Sequence, residues 1–224
     1  MLGQPSLPPN ACDFIGRKRE IEEIASHLKS PLTRVVSIFG PPGSGKSEVA
    51  IAVGQNLKSE GKAIYHIDLT DVNTEDDLIS AILRFFSDQS LGPLQPLDFL
   101  LKQFSLIKDS VSPFFTLDNA DSLLQERKSR HRFSQIIKQI MMSCASVKIL
   151  VATRESSECT KLKPLGQKLV RIGPVHKVFS QKLVQNCFPE GCNRDWRKVA
   201  LLFAEICLLL LGSFVTTCTK MSCP

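Results

Sequence analysis

The chain has 224 residues, 43% of them hydrophobic and 22% charged. That length supports one α/β core with a small helical appendage and excludes two full domains. The formal charge of +6 is uneven. Residues 1–118 carry 11 Lys and Arg against 15 Asp and Glu, and residues 119–224 carry 17 against 7, so the second half is the one suited to nucleic acid, acidic lipid or an acidic partner.

Residues 1–12 are proline-rich, lack a charged-then-apolar leader, and read as a disordered tail rather than a signal peptide. Eight cysteines, at 12, 144, 159, 187, 192, 207, 218 and 223, accordingly read as reduced thiols of an intracellular, cytoplasmic protein. Neither Cys187 with Cys192 nor Cys218 with Cys223 has the spacing or neighbouring histidines of a zinc site. A nucleotide-binding domain is expected over 13–175 and a helical segment, read as a truncated small domain, over 176–224.

Strands are predicted at 34–39, 63–68, 113–117, 147–152 and 168–172, separated by stretches with helical spacing. Strands alternating with helices imply a parallel sheet covered on both faces. Thr74-Glu75-Asp76-Asp77 reads as an N-cap with an acidic first turn that opens a helix from Leu78 to Phe86. A proline- and glycine-broken stretch follows, then an amphipathic run from Leu97 to Ile107. The densest basic cluster, Arg127-Lys128-Ser129-Arg130-His131-Arg132, has no interleaved aromatic residue and reads as a solvated loop in preference to a nucleic-acid contact.

Between the first strand and the helix after it lies Gly40-Pro41-Pro42-Gly43-Ser44-Gly45-Lys46-Ser47, which fits G-x-x-x-x-G-K-[ST]. In that setting backbone N–H groups and the positive end of the helix dipole converge on an anion, and glycine permits backbone angles that a side chain forbids. Lys46 is placed to reach the β- and γ-phosphates and Ser47 to ligate Mg²⁺. The nucleotide set extends to Glu48, the next residue of the helix. The fold expected is therefore a parallel P-loop NTPase sheet with helices on both faces and a short helical C-terminal segment.

Two further strand ends carry chemistry. Pro113-Phe114-Phe115-Thr116-Leu117-Asp118 is an apolar strand closing on a carboxylate, where a P-loop protein holds Mg²⁺. Val147-Lys148-Ile149-Leu150-Val151-Ala152-Thr153-Arg154 brings a guanidinium to the same sheet edge, where it can sense or stabilise charge on a terminal phosphate. Lys46, Asp118 and Arg154 form the candidate catalytic set.

With these motifs in place, residues 12 to about 190 resemble the nucleotide-binding domain of STAND-class signalling ATPases, the NB-ARC-like group of apoptotic and innate-immune regulators. Asp13-Phe14-Ile15-Gly16-Arg17-Lys18-Arg19-Glu20 is similar to the hydrophobic-Gly-Arg-x-x-Glu segment that packs over adenine in that group and in AAA+ relatives. The resemblance implies that Ile15, Gly16 and Arg17 line the nucleotide, that the strand order is 5-1-4-3-2, that ATP or ADP binds with Mg²⁺, and that protein partners read out the nucleotide state.

The chain departs from that pattern twice. The residue after the Mg²⁺ aspartate, an acid in the family, is Asn119, which cannot accept a proton; losing general-base catalysis costs ~10²–10⁴-fold. Slow or absent hydrolysis is expected, with Asp121 as the available substitute acid. Beyond residue 190 the family's Gly-x-Pro motif is missing. Val199–Cys218 instead forms a 20-residue stretch with one charge, Glu205, long enough to span a bilayer but read as a truncated-domain helix ahead of a tail anchor. The competing readings are an active AAA+-like ATPase, a nucleotide-free scaffold and, weakest, a kinase.

Overall fold

A computed structural model describes residues 2–9, 16–87, 94–108, 111–154, 156, 162–174, 179 and 182. In chain order the elements are α1 (Lys18–Lys29), β1 (Val35–Phe39), α2 (Lys46–Ser59), β2 (Ile64–Asp68), α3 (Glu75–Leu83), α4 (Pro96–Ser105), β3 (Phe114–Asp118), α5 (Asp121–Gln125), α6 (Arg127–Ser143), β4 (Lys148–Thr153) and β5 (Lys168–Arg171). The five strands form one parallel sheet in the order β2-β3-β4-β1-β5, the order the resemblance implied read from the other edge.

Strand alternation divides the interior into two cores. Val35, Phe115, Leu117, Ile149 and Val151 face one side, packed with residues of α3, α4, α5 and α6. Val36, Ile38, Phe114, Leu150 and Ala152 face the other, packed with Ile24 and Leu28 of α1 and Val49, Val53 and Leu57 of α2. Burial on both faces is why these strands are continuously apolar. Phe115 stacks on Tyr65 with ring centroids 5.0 Å apart and meets Phe104 at 5.5 Å, so the first core ties β2 and β3 to α4. The Thr74 N-cap is real: its hydroxyl accepts from Asp77 N at 3.2 Å while the Asp77 carboxylate accepts from Thr74 N at 3.0 Å.

Two expectations are corrected. The basic cluster 127–132 is not a loop but the first turns of α6, whose buried stripe of Phe133, Ile136, Ile137 and Ile140 carries the helix. Two of its cations are structural: Arg130 Nε donates to Leu124 O at 2.8 Å, closing the carbonyl end of α5, and Arg132 pairs with Glu75 at the start of α3. The proline-rich segment is not a free tail either. Ser6 O accepts from His66 N at 2.9 Å, Gly3 N donates to Phe85 O at 2.7 Å, and Leu7 packs on the core under α2. The Ser6 bond lies on the outer edge of β2, the edge opposite its pairing with β3.

Cys144 is a buried free thiol, and the other seven cysteines lie outside the described residues. Among the described residues no helix is long and apolar enough to cross a membrane; the stretch 199–218 is not among them.

Candidate functional site

The phosphate loop leaves the C-terminal end of β1 and enters α2. Gly40 is required by packing: a Cβ there would lie 2.1 Å from Ile172 O, where the chain leaving β5 bonds back to Phe39 O. Gly43 and Gly45 have φ of +71° and +83°, and Gly45 is the N-cap of α2, so the turn that exposes the helix's first amides needs residues without a Cβ. Lys46 Nζ donates to Gly40 O at 3.0 Å and Pro41 O at 3.1 Å, arching back over the loop. Pro42 and Glu48 complete the loop and the first turn of the helix. Ser44 is buried, and its hydroxyl has no hydrogen-bond partner among the described residues.

Arg17 holds this loop from behind. It is 7% exposed, and its guanidinium donates to Ser44 O at 2.8 Å and Gly173 O at 2.5 Å while pairing with Glu20 at 3.1 Å. One side chain thus joins the start of α1, the phosphate loop and the chain leaving β5. Gly16 lies against the Phe179 ring, and Ile15 falls outside the described residues.

Asp118 ends the next strand but one. It is buried, at 4% exposure, with the Ser47 side chain near enough to pull its pKa down. Burial pushes its carboxyl above the ordinary range, with Ser47, His66 and the Asn119 amide pulling the other way. A buried carboxylate near a serine hydroxyl at a helix N-terminus is a hard oxygen donor pair. That set fits Mg²⁺, which needs few protein ligands when phosphates supply the rest. Among the described residues there is no cluster of three or more His, Cys, Asp or Glu that could hold a metal by protein ligands alone.

Asp121 is committed: Oδ1 accepts from Thr153 Oγ1 at 3.1 Å and from Arg154 N at 2.6 Å, and Oδ2 pairs with Arg154 Nε at 3.4 Å. Arg154 does lie at the sheet edge of the phosphate loop, since Thr153 is in register with Phe39. Asn119 has φ of +57°, a conformation asparagine tolerates, and its amide nitrogen donates to Asp68 Oδ1 and Thr70 Oγ1, each at 3.0 Å.

Asp68, Thr70 and His66 were not singled out from sequence. The signal was that β2, like β3, closes on aspartate, and the parallel register sets Asp68 beside Asp118. Partial burial pushes the Asp68 carboxyl up, but hydrogen bonds from Asn119 and Thr70 outweigh it and hold it below its ordinary range. Burial pushes His66 down, against the pull of Asp118 and Asp68, and its Nδ1 has no hydrogen-bond partner among the described residues.

Comparison with known proteins agrees with this geometry. The family profile described as "AAA domain" matches residues 32–159. No curated protein sequence matches. Among solved structures, Drosophila ORC bound to DNA aligns with a TM-score of 0.67 at 16% identity, covering 96% of this chain and 56% of that one. The Aeropyrum pernix Orc1 protein in complex with DNA aligns at 0.63 and 16% identity, covering 88% and 56%. The FIGL-1 AAA domain in complex with ADP aligns at 0.57 and 15% identity, covering 90% and 69%. The chain therefore spans little more than half the length of the first two of these proteins, and at these identities the likeness is one of fold. With more than half of its length matched by the family profile, the chain belongs to the AAA domain family.

Proposed function

We propose that the chain is a regulatory module that binds ATP or ADP with Mg²⁺ and hydrolyses the triphosphate slowly, in the manner of the STAND, NB-ARC-like branch. The observation that carries the reading is the phosphate loop, with Gly43 and Gly45 at positive φ and Ser47 in the first turn of α2, set at the same sheet edge as the buried Asp118. That edge joins the phosphate cradle to a carboxylate suited to Mg²⁺. The cation, once bound, supplies charge neutralisation on the phosphates. Ser44, Lys46 and the first amides of α2 bind and orient the anion, and Arg17 keeps the loop in shape. Arg154, held by Asp121 at the same edge, registers charge on the terminal phosphate.

Slow turnover follows from Asn119, which occupies the usual position of the proton acceptor but lacks the basicity. A module of this kind acts through protein partners that distinguish its nucleotide states. Identification of the nucleotide released when purified full-length chain is denatured tests the reading. Near-stoichiometric ADP or ATP is expected, and protein that is folded but free of nucleotide, and takes none up with Mg²⁺, contradicts it. An active AAA+ ATPase is the second reading, favoured by the family match; turnover of tens per second with Mg-ATP would select it.

A further inference from the structure

We infer that Asp68 is the proton acceptor for the water that hydrolyses a nucleoside triphosphate at this site, and that Asn119 is the residue that positions it. The inference rests on the nucleotide-binding reading and extends it to the residue that sets the slow step.

Of the carboxylates that end or follow β2 and β3, Asp68, Asp118 and Asp121 accept hydrogen bonds, and those bonds separate them by role. Asp118 is buried near Ser47 and accepts from Asn119 N at 2.9 Å. Asp121 has both oxygens engaged, one by Thr153 and the Arg154 amide and the other by a guanidinium. Asp68 takes all its donors on one oxygen: Thr70 N at 3.0 Å, Thr70 Oγ1 at 2.6 Å and Asn119 Nδ2 at 3.0 Å converge on Oδ1. Oδ2 accepts no hydrogen bond among the described residues. Three donors on one oxygen fix the carboxylate plane while the second oxygen keeps its lone pairs for a proton.

Asp68 is also in the right place. It is exposed, in register with Asp118, and the next amide, Leu69 N, donates to Asp118 O at 2.9 Å. Adjacent strands lie about 4.8 Å apart, so Asp68 stands one strand from the carboxylate near Ser47. Asn119, at the position where the family carries its acid, turns its amide onto that neighbouring carboxylate. The proton-accepting function has moved across one strand, and the asparagine left behind aims it.

In the step assigned, the water oxygen attacks the γ-phosphorus and forms the new P–O bond. The bond from that phosphorus to the β,γ-bridging oxygen breaks, and its electron pair leaves with the nucleoside diphosphate. The water proton passes to Asp68 Oδ2 and from there to solvent, and inorganic phosphate is released.

The test is single-turnover hydrolysis of Mg-ATP by excess full-length protein, paired with fluorescent-nucleotide affinity and the identity of the nucleotide carried through purification. Asp68→Asn keeps an oxygen for the three donors. It is expected to lower the single-turnover rate ~100-fold or more while leaving affinity within about 3-fold. Wild type should carry mainly ADP and this variant mainly ATP. Asn119→Ala should lower the rate ~10-fold with affinity unchanged, the split expected of a positioning residue. Asp68→Ser, with no carboxylate and a smaller side chain, should match Asp68→Asn and serves should that variant fold poorly. Wild-type rates in the Asp68 variants overturn the assignment, as does wild type that binds ATP without hydrolysing it above background; in both cases nucleotide binding survives. Wild type that binds no nucleotide overturns both.

Discussion

On either side of β3, at the C-terminal edge of the sheet, an aspartate accepts a threonine hydroxyl and a backbone amide, yet the two sites do different things. On the β4 side Asp121 holds Thr153 and the Arg154 amide, and its third partner is the Arg154 guanidinium. On the β2 side Asp68 holds the Thr70 hydroxyl and amide, and its third partner is the neutral amide of Asn119. A cation occupies the second carboxylate oxygen, whereas a neutral donor shares the first oxygen with the others and leaves the second alone. Residue type is the same on both flanks; the charge of one partner decides whether the group is a clamp or a base.

Making the neutral flank ionic should disturb it most. Asn119→Asp sets a second carboxylate within hydrogen-bond distance of Asp68, removing two donated bonds and adding like-charge repulsion. A loss of about 1–2 kcal/mol is expected, read as a fall in Tm of roughly 2–8 °C, with no gain in turnover. A faster enzyme would mean that position 119 faces the water directly, and the contrast between flanks would fail.

Breaking the ionic flank should cost less. Asp121→Ala removes two hydrogen bonds and a pair whose arginine is 64% exposed, so about 1 kcal/mol and a Tm drop of about 2–4 °C are expected by thermal melts. Unchanged Tm would mean that the clamp contributes nothing to stability.

The smallest effect is a pH dependence beneath both flanks. Burial lowers the His66 pKa in the folded state below its ordinary 6.5, so the unfolded chain takes up the proton first. His66 therefore contributes a loss of stability as pH falls below about 6.5. Its Asp118 and Asp68 neighbours reduce that loss, and the raised Asp118 carboxyl, which takes up its proton more readily when folded, works in the opposite direction as pH falls. Melting curves from pH 7.5 to 5.5 should fall less steeply for His66→Gln than for wild type; parallel curves would show that His66 titrates alike in both states.

Much of this was legible in the chain. All five strands lie within one residue of where apolar runs and turn residues placed them, and β1, β3 and β4, buried on both faces, announce themselves locally. The phosphate loop was legible for the same reason, as eight contiguous residues between a strand and a helix. What escaped depends on register. Asn119 meets Asp68 across 51 positions of sequence, and Arg17 reaches Gly173 across 156; no spacing rule encodes either contact. The basic cluster was misread because its charges occupy the first turns of a helix whose apolar stripe begins only at Phe133. The proline-rich start was misread because its contacts are bonds to a sheet edge, a partner that exists only after β2 is placed.

The functional contrast between the two flanks presupposes a polyphosphate at the loop that leaves β1. Equilibrium titration of full-length wild type and Lys46→Ala with ATP and ADP, each in Mg²⁺ and in EDTA, tests that directly. Wild type should bind one nucleotide per chain, more tightly with Mg²⁺, and Lys46→Ala should lose ~10–100-fold in affinity, the worth of a charge-assisted hydrogen bond. Equal affinity of the two proteins, or no saturable binding by folded wild type, would contradict the account.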